Sequence, residues 1–279
     1  MSDYITGEVL DLPHDKYHAL PHHSRSDITL ALRSPAHLRA AKDTPTRVTP
    51  AMKLGTAVHA AVLTPGRFDD EVAYAPEGNR RTKAGKEEYE AFMEEAANKT
   101  VLPRGDKATV DAMVAAIAAS PAAKLVLGGP DKREASYLWM DSQTGLPCRC
   151  RPDVYIPDRK IIVDLKTTKD ARPDAFGRAV FDHDYHVQAA YYLDGVNAAL
   201  GEGAATSFVF LAVEKEPPYG VLVGALDAED LERGRDAYRR GLNRIKWCSE
   251  NDRWPGYSSK VHRLCLPGWA RKRIDQGNA

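Results

Sequence analysis

Two aspartates and a lysine stand close together in the stretch CRCRPDVYIPDRKIIVDLKTT, residues 148–168. Asp153 precedes Asp164 by eleven residues, and Lys166 follows two residues later. Between the aspartates, Pro157-Asp158-Arg159-Lys160 has the composition of a turn and Ile161-Ile162-Val163 is apolar and β-branched, so the segment reads as a hairpin. Side chains alternate along a strand, which puts Asp164 and Lys166 on one face and Val163 and Leu165 on the other. With the tip at Asp158-Arg159, Asp153 lies opposite Asp164, where Cβ atoms are about 4.5–5.5 Å apart and like charges destabilise. A hard divalent cation offsets that repulsion, and magnesium commonly takes one or two carboxylates together with phosphate oxygens of a substrate. Such an ion polarises a phosphoryl oxygen and lowers the pKa of water, while Lys166 could hold the water or stabilise developing charge. The chemistry is metal-assisted hydrolysis of a phosphodiester. A D-x-K triplet alone is more often an ion pair on an exposed hairpin; Pro152-Asp153 and the apolar strand reverse that preference.

Further positions join this set. Glu134 opens the preceding strand, as a carboxylate that completes a cation site or as a solvated strand end. His59 lies in the nearly apolar helix GTAVHAAVL, where a histidine is a hydrogen-bonded core residue or a ligand. Its small neighbours Gly55, Thr56 and Ala60 would let that helix approach another backbone closely. Tyr185, Gln188 and Tyr192 fall at i, i+3 and i+7 on one helix face. The tyrosines suit core packing, whereas a glutamine there can orient a lysine, a metal-bound water or a phosphate. Arg80, Arg81, Lys83 and Lys86 form either a charged loop or a contact to DNA phosphates. A protein with 39 basic and 39 acidic residues must concentrate its positive charge somewhere to hold DNA, which favours the contact. Arg233, Arg235, Arg239, Arg240 and Arg244 are interleaved with acids and read as a solvated face or a subunit contact.

The elements that position these residues follow from periodicity. Residues 1–24 are rich in Pro and His and read as an extended arm. A helix starting near Ser26-Asp27 runs through ITLALRSPAHLRAAK, broken at Pro35. Residues 51–63 form a buried helix, NRRTKAGKEEYEAFMEEA a loop and helix, and 106–127 a third helical stretch ended by Gly128-Gly129-Pro130. From Glu134 the period shortens to two, so EASYLWMD, PCRCRPDVYI and KIIVDLKTT make a three-strand meander. A helix over roughly 185–200 follows, then strands SFVFLAV and GVLVGAL, a long helix from Ala228 to about Glu250 capped by Asp227, and an irregular tail. The fold class is α/β (α+β), a central mixed sheet flanked by helices.

With 279 residues, 43% hydrophobic and 28% charged, the chain can bury a sizeable core. It reads as one domain over 1–279: an N-terminal arm and helix (1–50), a core (51–250) and a C-terminal tail (251–279). Zero net charge excludes a uniformly cationic surface but not a local basic groove. No apolar run approaches about 18 residues and no basic-then-apolar leader opens the chain, so the expectation is a cytoplasmic protein without a membrane span. Cys148, Cys150, Cys248 and Cys265 have the spacing of neither a structural zinc site nor a disulfide framework, and they argue against an iron–sulfur nuclease.

Together, PDVYIPDRKIIVDLKTT and YHVQAAYY resemble the PD-(D/E)xK nuclease superfamily, and more narrowly its branch of exonuclease VIII (RecE)-like phage and prophage exonucleases and RecB-type nuclease domains. SRSDITLALRSPAHL, GTAVHAAVLTPGRFD, RRTKAGKEEYEAF, VEKEPPYGV and WPGY extend the likeness over nearly the whole chain. The resemblance implies a restriction-endonuclease-like core in which His59, Asp153 and Asp164 match metal ligands and Leu165 supplies a backbone carbonyl. Lys166 matches the catalytic lysine, Gln188 and Tyr192 the accessory motif, and Glu134 an acidic position ahead of the hairpin. It further implies magnesium, with manganese able to substitute, and 5′→3′ degradation of linear double-stranded DNA in phage-type recombination. The implied partners are a RecT-like single-strand annealing protein and further copies of the chain in a ring, trimer or tetramer, in the cytoplasm of a bacterial host cell. Asp164 departs from the glutamate found in many superfamily members, and its shorter reach bears on metal spacing. Two alternatives stay open: a structure-specific endonuclease of the same superfamily, and a non-catalytic DNA-end-binding or recombinase-loading module.

Overall fold

Apolar residues spaced by two make strands and those spaced by three or four make helices, and the chain follows both rules. The computed structural model describes residues 4–44, 48–79 and 81–277. Its first half runs β1 (Gly7–Val9), α1 (His14–Ala19), α2 (Arg25–Arg33), α3 (Pro35–Asp43), α4 (Pro50–Leu63), α5 (Phe68–Glu71), β2 (Val72–Tyr74), α6 (Lys83–Glu95), β3 (Thr100–Leu102), α7 (Asp106–Ala119) and α8 (Pro121–Leu127). The second half runs β4 (Lys132–Arg133), β5 (Ser136–Met140), β6 (Pro147–Cys150), β7 (Val154–Ile156), β8 (Ile161–Thr168), α9 (Pro173–Asp182), α10 (Tyr185–Leu200), β9 (Ser207–Glu214), β10 (Val221–Ala225), α11 (Ala228–Asn251) and α12 (Gly268–Asp275).

The central sheet is mixed, in the order β10-β9-β8-β7-β4. Strands β8 and β9 are parallel, while β7–β8, β9–β10 and β4–β7 are antiparallel. The hairpin is as the sequence predicts. A 3-10 turn at Pro157–Arg159 and a left-handed Lys160 with φ 57° close it, in the register Val154↔Val163, Tyr155↔Ile162 and Ile156↔Ile161. One step further along that register sets Asp153 beside Asp164.

The predicted meander is corrected. The strand read over PCRCRPDVYI breaks at Arg151-Pro152-Asp153, so β6 joins β1 and β5 in a three-stranded sheet while β7 joins β8 in the central one. Pro152 has no N–H to give a ladder, and the strand stops there.

Alternation along the central strands sends side chains into two cores. Tyr155, Ile162, Phe208, Phe210 and Ala212 pack on one face with α2, α10 and α11 residues such as Ile28, Val187, Tyr191 and Leu242. Val154, Ile156, Val163, Leu165, Leu211 and Val213 pack on the other face with Ala57 and Val58 of α4 and Val110 and Met113 of α7. This is a sheet between two helical layers. Glycines allow the close helix crossings: a Cβ on Gly234 of α11 would stand 2.2 Å from the His186 carbonyl oxygen of α10, and one on Gly241 2.6 Å from Ile28 of α2.

Other boundaries shift for identifiable reasons. The N-terminal arm is built into the fold: β1 pairs with β5, and Glu8 accepts from Lys132 at 2.7 Å and from the Tyr137 hydroxyl at 2.8 Å. The first long helix is capped earlier than expected, by a Ser24–Asp27 capping box. The 106–127 stretch is two helices bent by 83°, with Ser120 capping the second. Helix α9 is absent from the sequence reading because Pro173 and Gly177 resemble loop chemistry, although Pro is well placed in a first turn. The tail carries a short helix, α12. Asp227 caps α11 as predicted, accepting from the Asp230 N–H at 2.8 Å. Among the described residues no single helix is long and apolar enough to cross a membrane.

Candidate active site

Asp164 and Lys166 share the face of β8 that carries Ile162, and that face lies under α10. Their neighbours follow from this parity. Gln188, buried on α10, donates from Nε2 to Asp164 Oδ1 at 2.6 Å. Lys166 Nζ lies 2.5 Å from Asp164 Oδ2 and 4.7 Å from the centre of the Tyr185 ring. The lysine therefore sits between a carboxylate and an aromatic face.

Asp153 follows Pro152, just before β7. Its Oδ2 accepts the backbone N–H of Leu165 at 2.7 Å and stands 3.5 Å from His59 Nδ1. Helix α4 packs on the opposite side of the sheet from α10, and the His59 imidazole reaches Asp153 where β7 begins. Burial pushes the Asp153 carboxyl up to about 6; nearby Asp164 adds to the rise, while His59 and Lys166 oppose it.

Each carboxylate is held by one oxygen. Asp164 uses Oδ1 for Gln188, and Asp153 uses Oδ2 for Leu165 and His59. The buried Asp164 Oδ2 accepts no hydrogen bond among the described residues; its partner is the Lys166 ammonium, as an ion pair. A buried carboxylate oxygen whose one partner is a lysine ammonium, next to a second carboxylate with a raised pKa, fits a hard cation. The fit is to two carboxylates and not to a closed cage: no three His, Cys, Asp or Glu side chains among the described residues gather closely enough to hold a metal.

Glu134 does not begin a strand. It occupies the bend between β4 and β5 with φ 50°, and its N–H donates to the Asp153 carbonyl at 3.1 Å. It therefore ties down the backbone of the site. Burial lowers the Arg151 guanidinium pKa, and the Glu134 carboxylate is among the groups that oppose that fall. Tyr192 packs against Phe208 with ring centres 6.2 Å apart. Burial holds its hydroxyl protonated, helped by the neighbouring Asp164. Arg81, Lys83 and Lys86 are exposed and make no bond to the hairpin residues; Lys83 pairs with Glu87 on its own helix at 3.8 Å. Arg80 lies outside the described residues. Thr82 caps α6 on the Gly85 N–H at 3.1 Å, and a Cβ on Gly85 would meet the Asn79 carbonyl oxygen at 2.2 Å.

Two residues near the site have no assignment in the sequence reading. Tyr185, seen there only as part of a helical stripe, forms the floor under Lys166. Arg25, at the first position of α2, donates to the His183 carbonyl and lies 5.9 Å from the centre of the Tyr185 ring. No local pattern links position 25 to position 183, so only the tertiary fold could find it. The cysteines are no part of the site. Burial raises the Cys148 thiol to about 12 and pushes Cys150 up as well, which suits packing better than thiolate chemistry.

Residues 24–265 match the profile of a family described as a PDDEXK-like domain of unknown function. A candidate exonuclease from Eubacterium rectale, solved by crystallography, superposes with a TM-score of 0.63 at 13% identity, covering 93% of this chain and 97% of that one. A phage-related exonuclease from Haemophilus somnus 129PT gives a TM-score of 0.36 at 15% identity over 83% of this chain and 96% of that one. No curated protein matches the sequence. At such identity the first of these likenesses speaks to the fold.

Proposed function

The chain belongs to this PDDEXK-like family, and from that premise we propose that it is a magnesium-dependent exonuclease hydrolysing phosphodiester bonds of linear double-stranded DNA, 5′→3′, in phage-type homologous recombination. The observation that carries the proposal is the pair of opposed aspartates, each fixed by one oxygen, with Lys166 clamped between Asp164 and Tyr185. Asp153 and Asp164 would hold the cation, with the Leu165 carbonyl and His59 completing its surroundings. A bound magnesium or manganese ion supplies charge neutralisation and polarises a phosphoryl oxygen. Lys166 presents its ammonium to the charge that develops on the phosphate. Gln188 keeps Asp164 in one rotamer, and Glu134 and the Leu165 N–H fix Asp153 from the backbone side. Arg80, Arg81, Lys83 and Lys86 would contact duplex phosphates. A homo-oligomer and a RecT-like annealing protein complete the proposed setting.

A time course on end-labelled linear duplex with magnesium tests this. Loss of label from the 5′ end, with covalently closed circles left intact, is the expected result; cutting of closed circles would establish the endonuclease reading instead. Lys166→Ala should slow cleavage by about 10²–10⁴-fold, and an unchanged rate would remove the mechanism.

A further inference from the structure

Helix α2 joins the hairpin site to a second feature. Its first residue, Arg25, stands over the ring that supports Lys166. Its last, Arg33, lines an open groove of about 960 Å³ between α2, the C-terminal half of α11 and the segment 253–260. At about 1.5 Å per residue the two ends of α2 are roughly 12 Å apart.

The groove is cationic. Arg33, Arg244, Arg253 and Lys260 line it, and no Asp or Glu does. Earlier on α11 three arginines are paired with acids, Arg233 with Glu229 and Asp230, Arg235 with Asp194 and Glu232, and Arg239 with Asp141, whereas exposed Arg240 has no such pair among the described residues. Arg244 instead donates to the carbonyls of Ala31 and Leu32, and Arg33 to the Tyr257 hydroxyl. No salt bridge joins Arg253 or Lys260 to a carboxylate among the described residues. Two aromatic rings flank these charges, Trp247 at 46% and Tyr257 at 74% exposure.

We propose that this groove binds single-stranded DNA, the strand left unpaired as its complement is removed at the hairpin site. The identity of that strand rests on the exonuclease reading; the binding itself does not. Unpaired guanidinium and ammonium groups follow a phosphate backbone, and exposed rings stack on bases of any sequence. A duplex would answer the charges but not the rings, because its base faces are already stacked.

Anisotropy of a labelled oligothymidylate, measured with the full chain in EDTA, separates binding from cleavage. Wild type binds. Replacing Arg253 and Lys260 together by Ala, both in an exposed non-helical segment, weakens binding by roughly tenfold and flattens the log–log salt slope by about 1.4, since single strands contribute about 0.7 per neutralised phosphate. Tyr257→Ala weakens binding by about tenfold and leaves the slope unchanged. Lys107→Ala, on α7 and paired with Asp111, changes neither. Absence of binding by wild type, or binding indifferent to the groove variants, overturns the proposal. So does a change of assembly state on gel filtration with affinity intact, which makes the groove a contact between copies of the chain. Groove-dependent binding in a chain that cuts no duplex upholds the proposal and refutes the nuclease reading alone.

Discussion

Asp153→Asn should stabilise the metal-free protein at neutral pH. Burial and the facing Asp164 raise the Asp153 pKa from 3.8 to about 6. A carboxyl whose folded pKa exceeds its unfolded value binds more protons in the folded state, so its contribution is full below about pH 4 and is lost as pH rises through about 6. Each unit is worth about 1.4 kcal/mol, which sets a ceiling near 3 kcal/mol; the side chain is 18% exposed, and relaxation plus solvent reduce the cost to roughly 1–2 kcal/mol. Asparagine keeps an acceptor for the Leu165 N–H and removes the charge. In EDTA at pH 7.5 its Tm should exceed that of wild type by about 5 °C, at 2–4 °C per kcal/mol for chains approaching this size, and the gap should close towards pH 4. Magnesium should reverse the order, because a ligand at a hundred times its Kd adds about 2.7 kcal/mol and the amide variant cannot collect it. Thermal unfolding of both proteins at several pH values, with and without magnesium, measures all three effects. An Asn variant no more stable than wild type at pH 7.5, or a gap that does not shrink on acidification, would refute the idea that Asp153 is held in an unfavourable charge state that a cation relieves.

Two further outcomes follow from the contacts around the hairpin. Gln188→Ala deprives buried Asp164 Oδ1 of its 2.6 Å partner; urea unfolding should show a loss of about 1–3 kcal/mol, and calorimetry a 10–100-fold weaker metal affinity, as for other residues that orient a ligand. Gly234→Ala drives a methyl to 2.2 Å from the His186 carbonyl oxygen; overpacking there should cost at least about 1–3 kcal/mol, and by shifting α10 it should lower nuclease turnover as well, which parallel unfolding and cleavage assays would read.

The hairpin was legible because strand alternation and turn chemistry act within some twenty residues. Asp153 opposite Asp164 and Lys166 on the same face are local, and Gln188 lies two elements on, in α10 beyond α9. The break at Pro152 was written in the sequence too, as a proline in mid-strand, but the β-rich residues on both sides of it read as one strand. What failed depends on distance along the chain. That β1 completes the sheet of β5 and β6 follows from no property of GEV, and Arg25 meets His183 only after α2 and α10 have packed. The lining of the basic groove comes from positions 33, 244, 253 and 260, and the arginines of α11 look alike until the acids that pair them are located in space. Arg244 in particular, expected among residues interleaved with acids, turns out to cap the end of α2.

The break at residues 151–153 accounts for the geometry of the site. Had the strand run on unbroken, the Leu165 N–H would have had ladder partners and Asp153 would have been one more residue in register. Because β7 begins only at Val154, the Asp153 carboxylate takes the place of a strand and accepts that N–H itself, while the Glu134 N–H donates to the Asp153 carbonyl. One oxygen is spent on folding, and the other carries no hydrogen bond among the described residues. Asp164 repeats the scheme with Gln188 as the anchor. The same division explains why an aspartate suits the second acidic position here. A glutamate would push the carboxylate outward by roughly the 1.5 Å of a carbon–carbon bond, against a Gln188 already at 2.6 Å. In this fold the shorter acid is matched to the position of α10, which Gly234 in turn sets by letting α11 pack close behind it.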